Sequence, residues 1–282
     1  MSGSSTPWSL PGERGATILG DAHVPGDARG TVIVAHGFKG YKDYGFIPVL
    51  ASACAERGFV THRFNFSHSG MTNRIETFEH PERFEEDSWN TQVHDLDAVI
   101  DAVLAGTLSA GAGPLVVIGH SRGGVSALLT AARRAAVGAT GPDGVVTAAT
   151  PATCNSLTPD AAIRLLAEGR LPSPSSRTGQ TLYVGRRFID EQRDNPAAFD
   201  LPRVVGAIAC PVLVVHGDAD ETVPVEAAHT LGDAIGDRAS VRIIAETNHV
   251  FGCANPAPAG AAAVPALAEL IEAVGGFLDQ LS

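Results

Sequence analysis

Residues 114–124 read PLVVIGHSRGG, an apolar run that ends in a serine between glycines. The run 115–118 is apolar without alternation, which is typical of a strand buried on both faces. Ser121 follows it between Gly119 and Gly123, and an Ala- and Leu-rich segment begins directly afterwards. The pattern predicts a serine on a sharp strand-to-helix turn, with its hydroxyl at the carboxyl edge of a sheet. A glycine-rich turn without a chemical role fits this short stretch as well.

Short β-rich runs alternate with longer helical segments, which predicts a mostly parallel sheet with crossover helices. The predicted strands cover 31–37, 59–66, 114–119, 143–149, 211–217 and 240–246. The predicted helices cover 46–57, 90–105, 123–137, 225–235 and 264–280. A hairpin near 15–24 is expected to add an antiparallel edge. We therefore expect a single α/β domain over residues 1–282.

The stretch from about 154 to 205 interrupts this alternation. It contains Pro172, Pro174 and a serine-rich patch, with short helical pieces predicted near 159–168 and 184–193. Long insertions between sheet elements often form lids or binding loops, so the pattern favours a lid. The alternative is a packing elaboration with no part in substrate choice.

Composition and charge argue against several classes of protein. The net charge is −11 and no long Lys/Arg cluster occurs, so neither nucleic acid nor a membrane surface is an expected partner. No segment resembles a signal peptide or a membrane span, which favours a cytoplasmic protein. The four cysteines are scattered without a CxxC pair, so free thiols are expected, with no metal and no cofactor. A homodimer is left open.

If Ser121 is a nucleophile, it needs a base to take its proton, and that base needs an orienting group. In this architecture both partners follow the serine along the chain, each after a later strand. HGDADETVP ends the fifth predicted strand and offers Asp218, Asp220 and Glu221 as the acid. TNHVFG follows the last predicted strand and offers His249 as the base.

The remaining requirement is a pair of backbone N–H groups aimed at the charge that develops on the substrate oxygen. One is expected from Arg122, directly after the serine, and the other from Phe38 in the loop AHGFKGYKDYGF. Lys39, Tyr41 and Lys42 follow in the same loop. They are interpreted either as solvent-exposed residues or as contacts for an acidic end of the substrate.

Other conspicuous residues receive structural interpretations. His36 and His120 flank the expected site and are interpreted as structural or pocket-wall residues. His216 lies near the end of a predicted strand and is expected only to pack. The run ERFEEDSW at 82–89 is interpreted as an exposed approach to a helix rather than a binding surface.

In their order along the chain, HGF, GHSRGG, HGDADETVP and NHVFG resemble the α/β-hydrolase family of serine hydrolases, over about 15–280. RFNFSHSG at 63–70 also resembles a stretch that this family carries after its fourth strand. The likeness is greatest to bacterial carboxylesterases of the cinnamoyl/feruloyl-esterase and dienelactone-hydrolase-like branch. The resemblance implies an α/β-hydrolase fold: a mostly parallel central sheet flanked by helices, with a lid insertion after the sixth strand.

The resemblance also implies roles for individual residues. Ser121 would be the nucleophile, His249 the base and Asp220 the acid, because the family pattern G-x-x-D-x-x-V-P selects this aspartate. The backbone N–H groups of Phe38 and Arg122 would form the oxyanion hole. The implied activity is hydrolysis of a small-molecule carboxylic ester, short-chain or aryl, through an acyl-enzyme. Hydrolysis of a thioester, lactone or small amide, or a non-catalytic binding protein of this fold, are the alternatives.

Overall fold

The structure is a computed structural model that describes residues 5–257 and 263–282. The strands of this part of the chain are β1 (Thr6–Pro11), β2 (Thr17–His23), β3 (Gly30–Ala35), β4 (Phe59–Asn65), β5 (Leu115–His120), β6 (Gly144–Ala148), β7 (Arg170–Pro174), β8 (Thr181–Gly185), β9 (Val212–Gly217) and β10 (Ala239–Ile244). The α-helices are α1 (Ile47–Glu56), α2 (Pro81–Glu85), α3 (Trp89–Leu104), α4 (Arg122–Ala136), α5 (Pro159–Glu168), α6 (Arg187–Asp194), α7 (Leu201–Val204), α8 (Glu226–Ile235) and α9 (Pro265–Leu281).

Eight strands form one sheet in the order β1-β2-β4-β3-β5-β6-β9-β10. The six strands from β4 to β10 pair in parallel, whereas β2 pairs antiparallel with β4 and with β1. The carboxyl ends of the parallel strands therefore meet at one edge, where open α/β sheets bind ligands. This is the α/β-hydrolase fold class that the sequence predicts.

The six predicted strands and five predicted helices of this core are confirmed, with bounds that differ by at most two residues. The expected hairpin near 15–24 forms between β1 and β2, so it starts earlier than predicted. Its β2 strand pairs with β4, which makes the hairpin the antiparallel edge of the sheet.

The apolar run of β5 is explained by helices on both faces of the sheet. Leu115 and Val117 are buried in the core cluster beneath α3, α4 and α8. Val116 and Ile118 point the other way, into the cluster formed with α1 and α9. Successive residues of a strand face opposite sides, so a strand covered on both sides favours apolar residues at consecutive positions.

The insertion between β6 and β9 contains α5, α6, α7 and a separate antiparallel hairpin of β7 and β8. The prediction of a helix at 159–168 is confirmed, and Thr158 caps it by accepting a hydrogen bond from the N–H of Ala161. The helix expected at 184–193 begins only at Arg187, because the residues before it belong to β8. The hairpin itself was not predicted, since prolines occupy β7 and a proline argues against a strand unless the strand lies at an edge.

The first turn of α4 lies against the end of β3 at the distance of backbone contact. A Cβ added to Gly123 would lie 2.4 Å from the backbone oxygen of Ala35. A Cβ on Gly119 would lie 2.4 Å from the backbone oxygen of Gly123. The glycines around Ser121 are therefore required by this close approach of helix and sheet.

We predict that Gly123→Ala separates α4 from β3 and lowers the free energy of unfolding by about 1–3 kcal/mol or more. Gly276→Ala is the matched control, because Gly276 lies in α9 and a Cβ there would have no neighbour within 4 Å. That variant is expected to be neutral or up to about 1 kcal/mol more stable. Urea unfolding of the three proteins measures both effects, and equal stabilities would contradict the packing argument.

Asp95 of α3 is a buried carboxyl that holds the chain after β4. Its Oδ2 accepts a hydrogen bond from the N–H of Ser67 at 2.6 Å and its Oδ1 from the hydroxyl of Ser67 at 3.0 Å. Burial raises the pKa of Asp95 to about 6, although the hydrogen bonds from Ser67 act in the opposite direction. Ionised Asp95 is therefore a cost to the folded state above this pH.

We predict a pH-dependent effect of Asp95→Asn. A carboxyl with a raised pKa in the folded state lowers stability as the pH rises from about 4 to about 6. Asparagine does not titrate, so the free energy of unfolding of the variant, relative to that of the wild type, should rise by about 3 kcal/mol between pH 4 and pH 7. Denaturant unfolding at both pH values measures the difference, and a constant difference would show that Asp95 has the same pKa in both states.

Candidate active site

Ser121 occupies the turn between β5 and α4, as the sequence predicts. Its backbone has φ 53° and ψ −122°, a conformation that L-residues rarely adopt. The N–H of Ser121 donates to the carbonyl of Ala148 at 2.8 Å, which ties the turn to the end of β6. This hydrogen bond holds the strained backbone, and the turn presents the hydroxyl at the carboxyl edge of the sheet.

His249 and Asp220 lie within hydrogen-bonding distance of one another and of this serine. The Nε2 atom of His249 is 3.0 Å from the Oγ atom of Ser121. The Nδ1 atom of His249 is 2.8 Å from the Oδ2 atom of Asp220. Since the carboxylate can only accept, Nδ1 carries a proton and Nε2 is free to accept the serine hydroxyl. The three side chains form a continuous hydrogen-bonded relay.

The carboxylate of Asp220 is buried and held by its own loop. Its Oδ1 accepts hydrogen bonds from the N–H groups of Thr222 and Val223, at 2.8 and 2.9 Å. Burial opposes ionisation, but the contacts from His216, His249 and Val223 outweigh it and hold the pKa of Asp220 well below its usual value. The relay therefore contains an ionised carboxylate.

The other two acids of the same loop do not reach the histidine. Asp218 and Glu221 are exposed, and the N–H of Asp218 is used to bond the carbonyl of Ile244 at the end of β10. Residue types left three candidates for this position, and the structure brings Asp220 to His249.

The two backbone groups expected to form an oxyanion hole lie on either side of the serine. A Cβ on Gly37 would be 3.0 Å from the Cβ of Ser121, so the loop that carries Phe38 passes directly against the serine. Arg122 begins α4, where the first N–H groups of a helix have no partner within the helix. Within residues 5–257 and 263–282, neither the N–H of Phe38 nor that of Arg122 donates a hydrogen bond.

A cavity of about 490 Å³ opens beside Ser121 and has mostly apolar walls. Residues on the loops after β3, β5, β6 and β9, at the start of α3 and in the insertion line it: Phe38, Trp89, Ser121, Arg122, Pro151, Thr153, Ser156, Leu157, Leu171, Pro172, Ser173, Val184, Phe188, Thr222, Val223 and Pro224. The insertion supplies part of the wall. This cavity is the space in which a substrate would meet the serine.

One wall of the cavity consists of three aromatic rings around the guanidinium of Arg122. Its Cζ atom lies 4.6 Å from the ring centre of Trp89, 4.9 Å from that of Phe188 and 5.5 Å from that of Phe38. Its Nη2 atom is 3.1 Å from the Oδ2 atom of Asp87, a buried carboxylate behind the wall. We call these three rings with Arg122 the aromatic wall. The charge of Arg122 is balanced by Asp87 and covered by the rings.

The interpretation of 82–89 as an exposed approach to a helix is wrong. Phe84, Asp87 and Trp89 are all less than a tenth exposed, and Trp89 belongs to the aromatic wall. The acidic residues around them concealed an amphipathic pattern, in which the two aromatic positions face the interior.

Two of the three residues considered for an acidic substrate end are structural. Tyr41 is 1% exposed, and Lys42 is buried with its ammonium 2.6 Å from both Asp21 and Asp43. Lys39 donates a hydrogen bond to a backbone carbonyl of the insertion. The interpretation as solvent-exposed residues is therefore wrong for Tyr41 and Lys42. Since none of the three lines the cavity, the alternative interpretation as substrate contacts is wrong as well.

Within residues 5–257 and 263–282, no group of three or more His, Cys, Asp or Glu side chains is placed to hold a metal ion. None of the helices in these ranges combines the length and apolarity needed to cross a bilayer. The four cysteines are free, as the sequence predicts, and the cytoplasmic location stays a prediction.

Solved structures with the same fold span almost the full chain. Est1E from Butyrivibrio proteoclasticus with ferulic acid bound is 19% identical, covers 95% of this chain and 96% of its own, and superposes with a TM-score of 0.68. The esterase domain of a Rhodothermus marinus protein is 19% identical over 98% of both chains, with a TM-score of 0.65. Dienelactone hydrolase from Anabaena variabilis is 16% identical over 100% of this chain and 99% of its own, with a TM-score of 0.63.

At these identities the structures establish the fold, while the family follows from the sequence. A search of curated proteins found no match. The family model described as the alpha/beta hydrolase family matches residues 32–264, which include the serine turn and both loops of the relay. With this match over most of its length and this sheet topology, the chain belongs to the alpha/beta hydrolase family.

Proposed function

We propose that this protein is a serine esterase that hydrolyses small-molecule carboxylic esters through an acyl-enzyme. The observation that carries the proposal is the relay of Ser121, His249 and Asp220 beside a mostly apolar cavity. A buried carboxylate that fixes an imidazole against a serine hydroxyl is the arrangement that activates serine for attack on an acyl carbon.

In the first half of the reaction, Ser121 Oγ attacks the ester carbonyl while Nε2 of His249 takes its proton. The N–H groups of Phe38 and Arg122 stabilise the negative charge on the former carbonyl oxygen. Asp220 stabilises the imidazolium that has formed. When the tetrahedral intermediate collapses, the bond to the alcohol breaks and His249 returns the proton to the departing oxygen.

In the second half, a water molecule replaces the alcohol. His249 takes a proton from this water, whose oxygen attacks the acyl carbon, and the same N–H groups stabilise the second oxyanion. Collapse releases the acid and returns a proton to Ser121. Each proton that His249 accepts is returned within the same half-reaction, so the cycle needs no cofactor.

An aryl or short acyl ester is the substrate class that the cavity favours. Apart from Arg122 its lining residues are uncharged, and three of them are aromatic rings, which suits an apolar or aromatic group. Est1E, whose structure holds ferulic acid, and the Rhodothermus esterase domain support an ester, whereas the dienelactone hydrolase from Anabaena variabilis keeps a lactone as the alternative.

We predict that Ser121→Ala lowers the hydrolysis of an activated aryl acetate by about three to six orders of magnitude, because the nucleophile is lost. The variant should keep the wild-type circular dichroism spectrum and should no longer react with a fluorophosphonate probe. Turnover close to that of the wild type in Ser121→Ala would exclude the serine mechanism.

Asp220→Asn is expected to lower kcat by about 10³- to 10⁴-fold, because an amide no longer selects the required tautomer of His249. Asp218→Asn is the matched control, since this exposed neighbour lies in the same loop and does not contact the imidazole. The control should retain kcat within about threefold, as expected for a surface change. Steady-state kinetics of both variants separate the two acids, and the reverse order of losses would assign the role to Asp218.

The insertion is proposed to act as a lid that selects substrates within a single hydrolase domain covering residues 1–282. Leu171, Pro172, Ser173 and Val184 of its hairpin line the cavity. Phe188 of α6 completes the aromatic wall. These residues line the cavity and are not members of the relay, so they are expected to influence substrate binding more than the rate of the chemical steps.

We predict that Phe188→Ala changes KM and the order of preference across a panel of aryl esters of graded acyl size, with a smaller effect on kcat. Removal of the ring enlarges the cavity, so kcat/KM for esters with bulky acyl groups should rise relative to that for the acetate. Ile163→Ala is the matched control, because Ile163 lies in the same insertion, on α5, and is 64% exposed. An unchanged preference in Phe188→Ala would leave the insertion a packing element.

A further inference from the structure

We infer that His36, His120 and His216 are positioning residues, each of which uses one ring proton to fix the loop that carries one part of the proposed catalytic machinery. The inference rests on the proposed function and extends it beyond the relay. All three histidines are at most 4% exposed and lie at the carboxyl ends of β3, β5 and β9.

His120 fixes the backbone of the proposed base. Its Nε2 atom is 2.9 Å from the backbone oxygen of His249, and a carbonyl oxygen only accepts, so Nε2 must carry the proton. Burial, reinforced by the neighbouring His249, lowers the pKa of His120 to about 3, so the ring is neutral. The centre of its ring lies 5.0 Å from the ring centre of His249 and 5.0 Å from that of Phe46. Asp220 thus orients the imidazole of His249 while His120 fixes its main chain.

His216 closes the turn that carries the proposed acid. Its Nε2 atom is 2.9 Å from the backbone oxygen of Val223 and 3.4 Å from the Oδ2 atom of Asp220. The N–H of Val223 in turn donates to Oδ1 of Asp220. His216 therefore also carries its proton on Nε2, and its hydrogen bond to Val223 adds to the bonds that the turn itself makes to Asp220.

His36 fixes the loop of the first expected oxyanion donor, with the opposite tautomer. Its Nδ1 atom is 2.8 Å from the backbone oxygen of Gly37, so the proton lies on Nδ1. Its Nε2 atom then accepts a hydrogen bond from the N–H of Phe66 at 3.2 Å. Burial lowers the pKa of His36 to about 4, which keeps this acceptor free. The ring bridges the Phe38 loop and the chain that follows β4.

Packing alone does not require histidine at these positions. An aliphatic side chain or a phenyl ring would fill the same space without the cost of burying a polar group. In each case the proton-bearing nitrogen meets a main-chain oxygen of a loop with a proposed catalytic role. A displacement of about 1 Å in such a loop can lower the rate about 100-fold, so a fixed main chain has a direct effect on catalysis.

The different tautomers give a test by amide substitution. A glutamine amide nitrogen reaches the position of histidine Nε2, whereas an asparagine amide reaches only that of Nδ1. His120→Gln should therefore keep the bond to the His249 carbonyl, and His120→Asn and His120→Leu should lose it. For His36 the order reverses, because asparagine there keeps the donor toward Gly37.

We expect His120→Asn and His120→Leu to lower kcat on an aryl acetate about 10- to 100-fold with KM little changed. Labelling by a fluorophosphonate should slow by a similar factor. His120→Gln should recover both to within about threefold, which a role in packing alone would not explain. The inference is overturned if the Gln and Asn variants of His120 behave alike, or if the preferred amide is the same at His36 and His120.

The tautomers of the wild-type protein provide a test that does not depend on folding of the variants. Two-bond ¹⁵N–¹H correlation spectra should assign the proton to Nε2 in His120 and His216 and to Nδ1 in His36. Any other assignment overturns the inference. If the wild type neither hydrolyses esters nor reacts with the fluorophosphonate, the proposed function fails by itself, and the spectra still decide whether these rings hold their loops.

Discussion

The first turn of α4 approaches the sheet to the distance of backbone contact, and the candidate site depends on this approach. Side chains at Gly119 or Gly123 would collide with the main chain, so only glycine allows the helix to begin directly after the strand. The same geometry forces Ser121 into its positive-φ conformation. As a result, the serine hydroxyl and the free N–H groups at the start of the helix point into the same space. The positive end of the helix dipole lies there too, which favours a developing negative charge.

Charge in and around the cavity is distributed so that little of it faces a substrate. Asp220 is ionised, but its oxygens are occupied by His249 and by its own loop. The positive charge of Arg122 is balanced by Asp87, and its guanidinium is enclosed by the three rings of the aromatic wall. In surroundings of low polarity, backbone N–H groups interact with an oxyanion more strongly than they would in water.

Most of the fold followed from local pattern, and the failures have identifiable causes. Strands buried on both faces are continuous apolar runs, so β3, β5, β6 and β9 were located to within two residues. The β7–β8 hairpin was missed because β7 contains two prolines, and proline argues against a strand in the middle of a sheet. The prolines are tolerated here because β7 and β8 form a separate two-stranded sheet, in which both strands are edge strands. Trp89 was assigned to an exposed segment because neighbouring acidic residues dominate the local composition, although its ring packs against residues far away in the chain.

The order of the elements and the candidates for each role follow from local sequence patterns: a serine after one strand, an acid after another and a histidine after the last. Strand periodicity and turn chemistry are local properties, and a local pattern is sufficient to encode them. The fold brings the imidazole of His249 to Asp220, the acid that the family pattern also selects. It places Arg122 among three rings, and it sets which nitrogens of His36, His120 and His216 face main-chain oxygens, none of which the local sequence specifies. Ser121 and His249 are 128 positions apart, and their 3.0 Å contact depends on sheet order and loop packing, which no short stretch of sequence specifies.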